Sequence, residues 1–224
     1  MSANVLKMIA LVAMTIDHMG YLLFPDCEWM RIVGRIAFPI FAFMIAEGCR
    51  YTRDRSRYFG KIALLGVGMQ IFLYIATGSL YQSVFISFAL AILLIFAIDK
   101  AETEKTKKSW IGVAVVIWVL SFLCMGLPKL LYQTDYAIDY GIIGVMIPVI
   151  CYLVKGKMTR ILALTLCLIA LSAVYGGIQW FCLLAVPLIG TYNYQRGKIR
   201  LKNLFYIYYP AHLSVIYMID RMIN

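Results

Sequence analysis

The chain has 224 residues, 63% of them hydrophobic and 14% charged, with a formal net charge of +10. A soluble domain carries about 45–50% apolar and about 25% charged residues, so this chain has too little polar surface to face water. Its basic residues sit in short connectors between long apolar blocks, which argues against a nucleic-acid surface and for the sidedness of lysine and arginine around a bilayer.

A spanning helix takes about 20 mostly apolar residues. Nine blocks meet or approach that length: 5–24, 30–50, 59–77, 80–98, 110–127, 139–154, 160–176, 178–192 and 204–222. The first carries Lys7 and then an apolar run interrupted by Asp17 and His18; without a small-residue cleavage site after it, it reads as a retained helix, not a signal peptide. The second closes a hairpin with it near Pro25-Asp26, carries Arg35, is kinked by Pro39 and has Glu47 near its inner end. The connector 99–109 is the one long, highly charged link. The seventh and eighth blocks meet in a tight turn at Gly176-Gly177, and the eighth is short enough to re-enter rather than cross. The last block holds the YYPAH segment with Pro210 and His212.

The expected fold is therefore all-α: one integral membrane domain over residues 1–224, a polytopic bundle of about nine transmembrane helices. With the amino terminus cytoplasmic, 17 of the 21 lysines and arginines fall inside, among them Lys198, Arg200 and Lys202; Arg31, Lys129 and Arg221 fall outside and Arg35 lies within the second helix. An odd number of crossings puts the carboxyl terminus outside. The six cysteines, Cys27, Cys49, Cys124, Cys151, Cys167 and Cys182, form no CxxC pair and read as small apolar side chains, so no metal site is expected.

Charges inside a bilayer cost several kcal/mol, so each marks a candidate site. At about 1.5 Å per residue, Asp17 and Arg35 lie at similar depth, about 10 Å below the outer surface, and can pair across the hairpin. His18 is adjacent to Asp17 and points about 100° away from it. His212 lies about 12 Å from the inner surface. Either histidine suits a general base or an acyl-accepting nucleophile, because its ordinary pKa lies near working pH; each also suits a plain hydrogen bond between helices. Glu47 and Arg50, three apart, share a helix face. Arg50, Arg53, Arg55 and Arg57 can form a basic cuff for an anionic cosubstrate, although Arg55 and Arg57 read first as orientation charges. Phe205, Tyr206, Tyr208 and Tyr209 read as an interfacial belt, and Tyr209 is also a candidate cosubstrate contact.

Several segments together resemble the TraX family, membrane proteins named for the N-acetylase of conjugative pilin. The segments are KMIALVAMTIDHMGYLLFP with Asp17-His18-x-Gly20; RIVGRIAFPIFAFMIAEGCRYTRDRSRY with Arg35, Phe38-Pro39 and Glu47-Gly48; DYGIIGVMIP; IQWFCLLAVPLIGTYNYQRG; and LFYIYYPAHL. The chain departs from the family where an Asn-x-x-Phe-Thr segment is common in the fourth helix and Ser83-Val84-Phe85-Ile86-Ser87 stands instead.

The resemblance implies an acetyltransferase of a bacterial cytoplasmic membrane that uses acetyl-CoA, with a peptide amine or a glycan or lipid hydroxyl as acceptor. On that implication His18, Asp17, His212 and Arg35 carry the chemistry, and Arg50, Arg53, Glu47 and Tyr209 hold the cosubstrate. Two other readings stand beside it: a small-solute or proton-coupled transporter using the intramembrane charges as a relay, and a non-catalytic membrane assembly protein.

Overall fold

The computed structural model describes residues 1–197 and 204–223, with the backbone only for 204–206. The basic residues Lys198, Arg200 and Lys202 and the side chains of Phe205 and Tyr206 lie outside the described residues. The described residues form helices and no strand, apart from an isolated bridge between Gln82 and Ile138. The chain falls into two compact units, residues 1–44 with 156–224, and residues 45–155. The division falls inside the helix Ala37–Tyr51.

In the first unit, α1 (Ala3–Leu22) buries Leu6, Ala10, Leu11, Ala13 and Met14, a single stripe at helical spacing. It packs along α2 (Glu28–Gly34) after a turn at residues 23–27. Glycine makes that approach possible. A Cβ on Gly20 would sit 2.7 Å from the Met30 Cβ, and one on Gly34 would overlap the Asp17 side chain. The helix then breaks at Arg35-Ile36 before α3 (Ala37–Tyr51) begins. Pro39 explains the place: a proline ring collides with the carbonyl four residues back, here Arg35, and offers it no N–H. The kink expected at Pro39 thus falls on Arg35.

The unit continues with α9 (Lys157–Tyr175), which ends at Gly176 and Gly177, with φ of +66° and +50°. A left-handed backbone at two successive residues is nearly cost-free only for glycine. The next block is a 3₁₀ helix over Gly177–Leu184 followed by α10 (Ala185–Gly190). At about 2.0 Å per 3₁₀ residue and 1.5 Å per α residue it reaches roughly 25 Å, short of the roughly 30 Å of a hydrocarbon core. The last helix, α11 (Leu204–Ile223), runs on through Pro210 and packs on α1.

The second unit holds the remainder of α3, then α4 (Arg55–Thr77), α5 (Val84–Glu104), α6 (Lys107–Ser121), a π-helical turn at Phe122–Gly126, α7 (Leu127–Leu130) and α8 (Gly141–Leu153). The central helix is α5, packed on α4, α6 and α8. Asp54 caps α4, accepting from the Arg57 amide at 2.8 Å, and Gly78 closes it at φ +71°.

Two boundaries differ from the sequence expectation. Residues 80–83 are not helical; the Gln82 amide donates to the Ala137 carbonyl, and the Asp139 amide to the Gln82 carbonyl. The charged stretch expected as a connector at 99–109 is mostly helix, so α5 and α6 are separated by Lys105-Thr106 alone. Its alanine, glutamates and lysine favour helix, and Lys100 and Glu104 pair at i,i+4 across 3.8 Å.

Among the described residues, six helical segments are by length and composition long and apolar enough to cross a membrane: Ala3–Leu22, Glu28–Tyr51, Arg55–Thr77, Val84–Glu104, Lys107–Leu130 and Lys157–Tyr175. Gly141–Leu153 and Gly177–Gly190 are apolar but shorter.

Candidate functional site

The candidate residues of the first unit gather in two linked clusters on α1. Asp17 turns to α2 and His18 to α11, as their helical offset requires.

Asp17 is held by two arginines. Its Oδ1 accepts from Arg35 Nη2 at 2.6 Å and its Oδ2 from Arg31 Nη1 at 2.9 Å. Arg31 Nη1 also donates to the Asp17 carbonyl at 3.1 Å, and Arg35 Nε to the Arg31 carbonyl at 3.3 Å. Arg35 Nη1 reaches Gln179 Oε1 on the 3₁₀ helix at 3.4 Å. The Arg31 guanidinium also lies 4.9 Å from the Tyr21 ring centre. The Asp17–Arg35 pair expected across the hairpin is present; Arg31, read from sequence as an outside loop charge, belongs to it as well. The signal for Arg31 was its spacing, one turn before Arg35 on the same face.

The two histidines meet. His18 Nδ1 and His212 Nε2 are 2.8 Å apart, with ring centres at 5.1 Å and planes 24° apart. Depths counted from helix starts put His18 in the outer half and His212 nearer the inner surface; their contact shows that α1 and α11 are staggered. His212 is buried and His18 half-buried.

The proton positions follow from the neighbours. His212 Nδ1 lies 3.0 Å from the Tyr208 carbonyl, which only accepts. His212 Nδ1 therefore carries the hydrogen, and in the neutral ring its Nε2 is the acceptor. His18 Nδ1–H donates to that Nε2, leaving the lone pair of neutral His18 on Nε2. Around the pair, the Tyr208 ring stacks on His212 at 5.3 Å, and Tyr209 stands edge-on to His18 at 6.1 Å and to His212 at 5.2 Å. The Thr15 hydroxyl donates to the Leu11 carbonyl at 2.9 Å, so the Tyr208 hydroxyl, 2.8 Å from Thr15 Oγ1, is the donor to it. Thr15 is three residues before His18 and shares its face; an uncharged hydroxyl in an apolar block carries no signal in the sequence.

The other candidates lie in the second unit, except Tyr209, which belongs with the histidines. Arg50 Nη2 donates to the carbonyls of Tyr152 at 2.5 Å, Val154 at 3.2 Å and Cys151 at 3.5 Å, capping the carboxyl end of α8. Buried Glu47 lies 3.9 Å from Arg50 Nε. Arg55 pairs with Asp99 at 2.7 Å, where Tyr152 also donates at 2.7 Å, and Arg57 pairs with Asp54 at 3.3 Å. Arg53 is exposed. Three arginines of the cuff are thus committed to protein groups.

A family model described as TraX protein matches residues 2–220. Among curated proteins, an uncharacterised protein of Rickettsia prowazekii is 28% identical over 90% of this chain and 74% of its own length. Protein TraX of Escherichia coli is 26% identical over 95% of this chain and 85% of its own. The probable fimbrial assembly protein FimC (serogroup H1) of Dichelobacter nodosus is 37% identical over 32% of this chain and 31% of its own. No solved structure matches. With nearly its full length covered by the family model, this chain is a membrane protein of the TraX family.

Proposed function

We propose that this protein is an acetyltransferase embedded in a bacterial cytoplasmic membrane, with its amino terminus and basic connectors on the cytoplasmic side. The donor is acetyl-CoA; the acceptor is an amine or hydroxyl of a peptide, glycan or lipid. The observation that carries the reading is the histidine pair, whose hydrogen bonds leave His18 Nε2 as the basic nitrogen. The bilayer is the expected partner of the apolar helices, and no nucleic acid is implied.

The residues fit an anionic thioester donor by their chemistry. The connectors are rich in lysine and arginine, and the exposed Arg53 is the cuff residue best placed to offer its fork to phosphate. In the transfer, the acceptor's N–H or O–H proton passes to His18 Nε2 as the acceptor atom bonds to the acetyl carbonyl carbon. The carbon–sulfur bond then breaks and the proton moves from His18 to the departing thiolate. His212 fixes the tautomer of His18 and accepts from its Nδ1–H throughout; it is a positioning residue. Arg35, beside Asp17, supplies positive charge for the oxygen that becomes negative. Tyr209 packs the pair from the side and keeps water from it.

The test is transfer of labelled acetyl from acetyl-CoA into membrane components, in vesicles carrying the full-length protein. His18→Ala is expected to abolish transfer while the protein keeps its thermal unfolding profile. Undiminished transfer in both His18→Ala and His212→Ala overturns the reading, and solute flux without acetyl-CoA would replace it with a carrier.

A further inference from the structure

Tyr208 touches His212 twice. Its carbonyl accepts from His212 Nδ1 at 3.0 Å, and its ring lies against the imidazole with centres 5.3 Å apart and planes 12° apart. The far end of that ring is anchored on another helix. Thr15 donates its one hydroxyl hydrogen to the Leu11 carbonyl at 2.9 Å, the back-bond of a mid-helix threonine, so it offers Tyr208 only lone pairs. The Tyr208 hydroxyl donates to Thr15 Oγ1 at 2.8 Å. Thr15 and His18 lie one turn apart on α1, and Tyr208 and His212 one turn apart on α11. The Thr15–Tyr208 and His18–His212 bonds therefore tie the same two helices twice, and because both pairs ascend together, α1 and α11 run in the same direction. One bond leaves two helices free to pivot about it; two bonds a turn apart fix axial shift and rotation together. The anchor matters on α11 because Pro210, between Tyr208 and His212, has no N–H and removes one helix hydrogen bond from that turn.

We propose that Tyr208 is a positioning residue for the histidine pair, and that its hydrogen bond to Thr15 holds both imidazoles in the orientation that leaves the lone pair of His18 on Nε2. That this lone pair serves acetyl transfer rests on the proposed function; that Thr15 and Tyr208 set the rings does not. Without the bond the phenol ring swings, His212 loses its flat neighbour, and the His18–His212 contact opens. The hydrogen of His18 then exchanges between Nδ1 and Nε2, and part of the protein holds the tautomer whose Nε2 has no lone pair to offer.

The chain has two histidines, so nitrogen NMR of the full-length protein with isotope-labelled histidine, in nanodiscs, reads the two rings without interference. Spectra are taken well above the ordinary histidine pKa of about 6.5, where a neutral ring has one protonated and one bare nitrogen. In the wild type each ring is expected to show a single tautomer, protonated at Nδ1. Thr15→Val keeps the shape of the side chain and removes the hydroxyl; Thr15→Ser keeps the hydroxyl and removes a methyl. Thr15→Val and Tyr208→Phe are each expected to give mixed tautomers at His18, and the double variant no more mixing than either alone. Thr15→Ser is expected to keep the single tautomer, which a packing role for Thr15 would not. In the vesicle assay, kcat should fall up to about tenfold in Thr15→Val and in Tyr208→Phe, the size of one hydrogen bond, with KM unchanged. Should Tyr208→Phe fail to fold, the two Thr15 variants decide alone. Mixed tautomers in the wild type, a single tautomer kept in Thr15→Val, or Thr15→Ser disturbed as much as Thr15→Val overturns the positioning role. Tautomer mixing in the variants with no acetyl transfer by the wild type would overturn only the acetyltransferase reading.

Discussion

The hydrogen on His212 Nδ1 is set by a backbone group, the Tyr208 carbonyl one turn earlier on α11. That contact decides which nitrogen of His18 carries a lone pair, 194 residues away in sequence. His212→Ala would let the His18 ring turn and change tautomer. The expected cost is about 10²-fold in kcat, the lower end of what a positioned proton transfer contributes, with little change in KM. A second expectation concerns Gly34. A Cβ there overlaps Asp17, so Gly34→Ala must move the carboxylate or push the helices apart. The cost is expected to be about 1–3 kcal/mol, read as a lower unfolding temperature in detergent. The aspartate and Arg35 could be paired from sequence because the hairpin turn is short and both depths were countable. The histidine pair could not, because nothing local fixes the stagger of α11 against α1. Gln179 was hidden for another reason: one neutral amide barely lowers the apolar character of its block.

Helix ends in this chain are decided by caps more than by hydropathy. Arg50 closes α8 through three carbonyls, so Arg50→Ala should expose that end, at a cost of about 1.5–3 kcal/mol for bonds to a charged group. Faster amide exchange confined to the last turn of Gly141–Leu153 is the expected reading; unchanged exchange there would show the cap to be dispensable. The Asp135 carboxyl makes a different link. It accepts from the Ser79 hydroxyl at 2.5 Å and the Leu80 amide at 2.9 Å, which hold it below the usual aspartate range. A carboxyl whose folded pKa is depressed contributes stability at pH values above its unfolded pKa, and that contribution is lost as pH falls through the folded value. The Leu80 amide should therefore exchange faster on acidification below the ordinary aspartate range, and Asp135→Asn should flatten that dependence. Apolar blocks were readable because a run of such residues has few alternatives in water. The end of α5 was not: alanine, glutamate and lysine are polar enough for a loop yet strong helix formers, and composition alone does not choose between them.

The helical character of the described residues and their membrane nature follow from composition, and among the described residues six helical segments are both long and apolar enough to span. Two apolar blocks are too short to span as drawn, because α8 ends at Leu153 and the Gly177–Gly190 block stretches only by adopting 3₁₀ geometry. Sidedness rests on the distribution of lysine and arginine. A reporter fused to the carboxyl terminus is expected to read as non-cytoplasmic, and a cytoplasmic reading would require one block to lie in the interface or re-enter. The family match covers the chain from residue 2 to residue 220, so Asp17, His18, Arg35 and His212 all lie within the shared region. The most direct test of the central claim is a structure of the protein with a non-transferable acetyl-CoA analogue. The acetyl carbonyl carbon should lie within about 3.5 Å of where an acceptor atom hydrogen-bonded to His18 Nε2 would sit, the distance of a near-attack arrangement. An acetyl group bound away from both His18 and His212 would contradict the account.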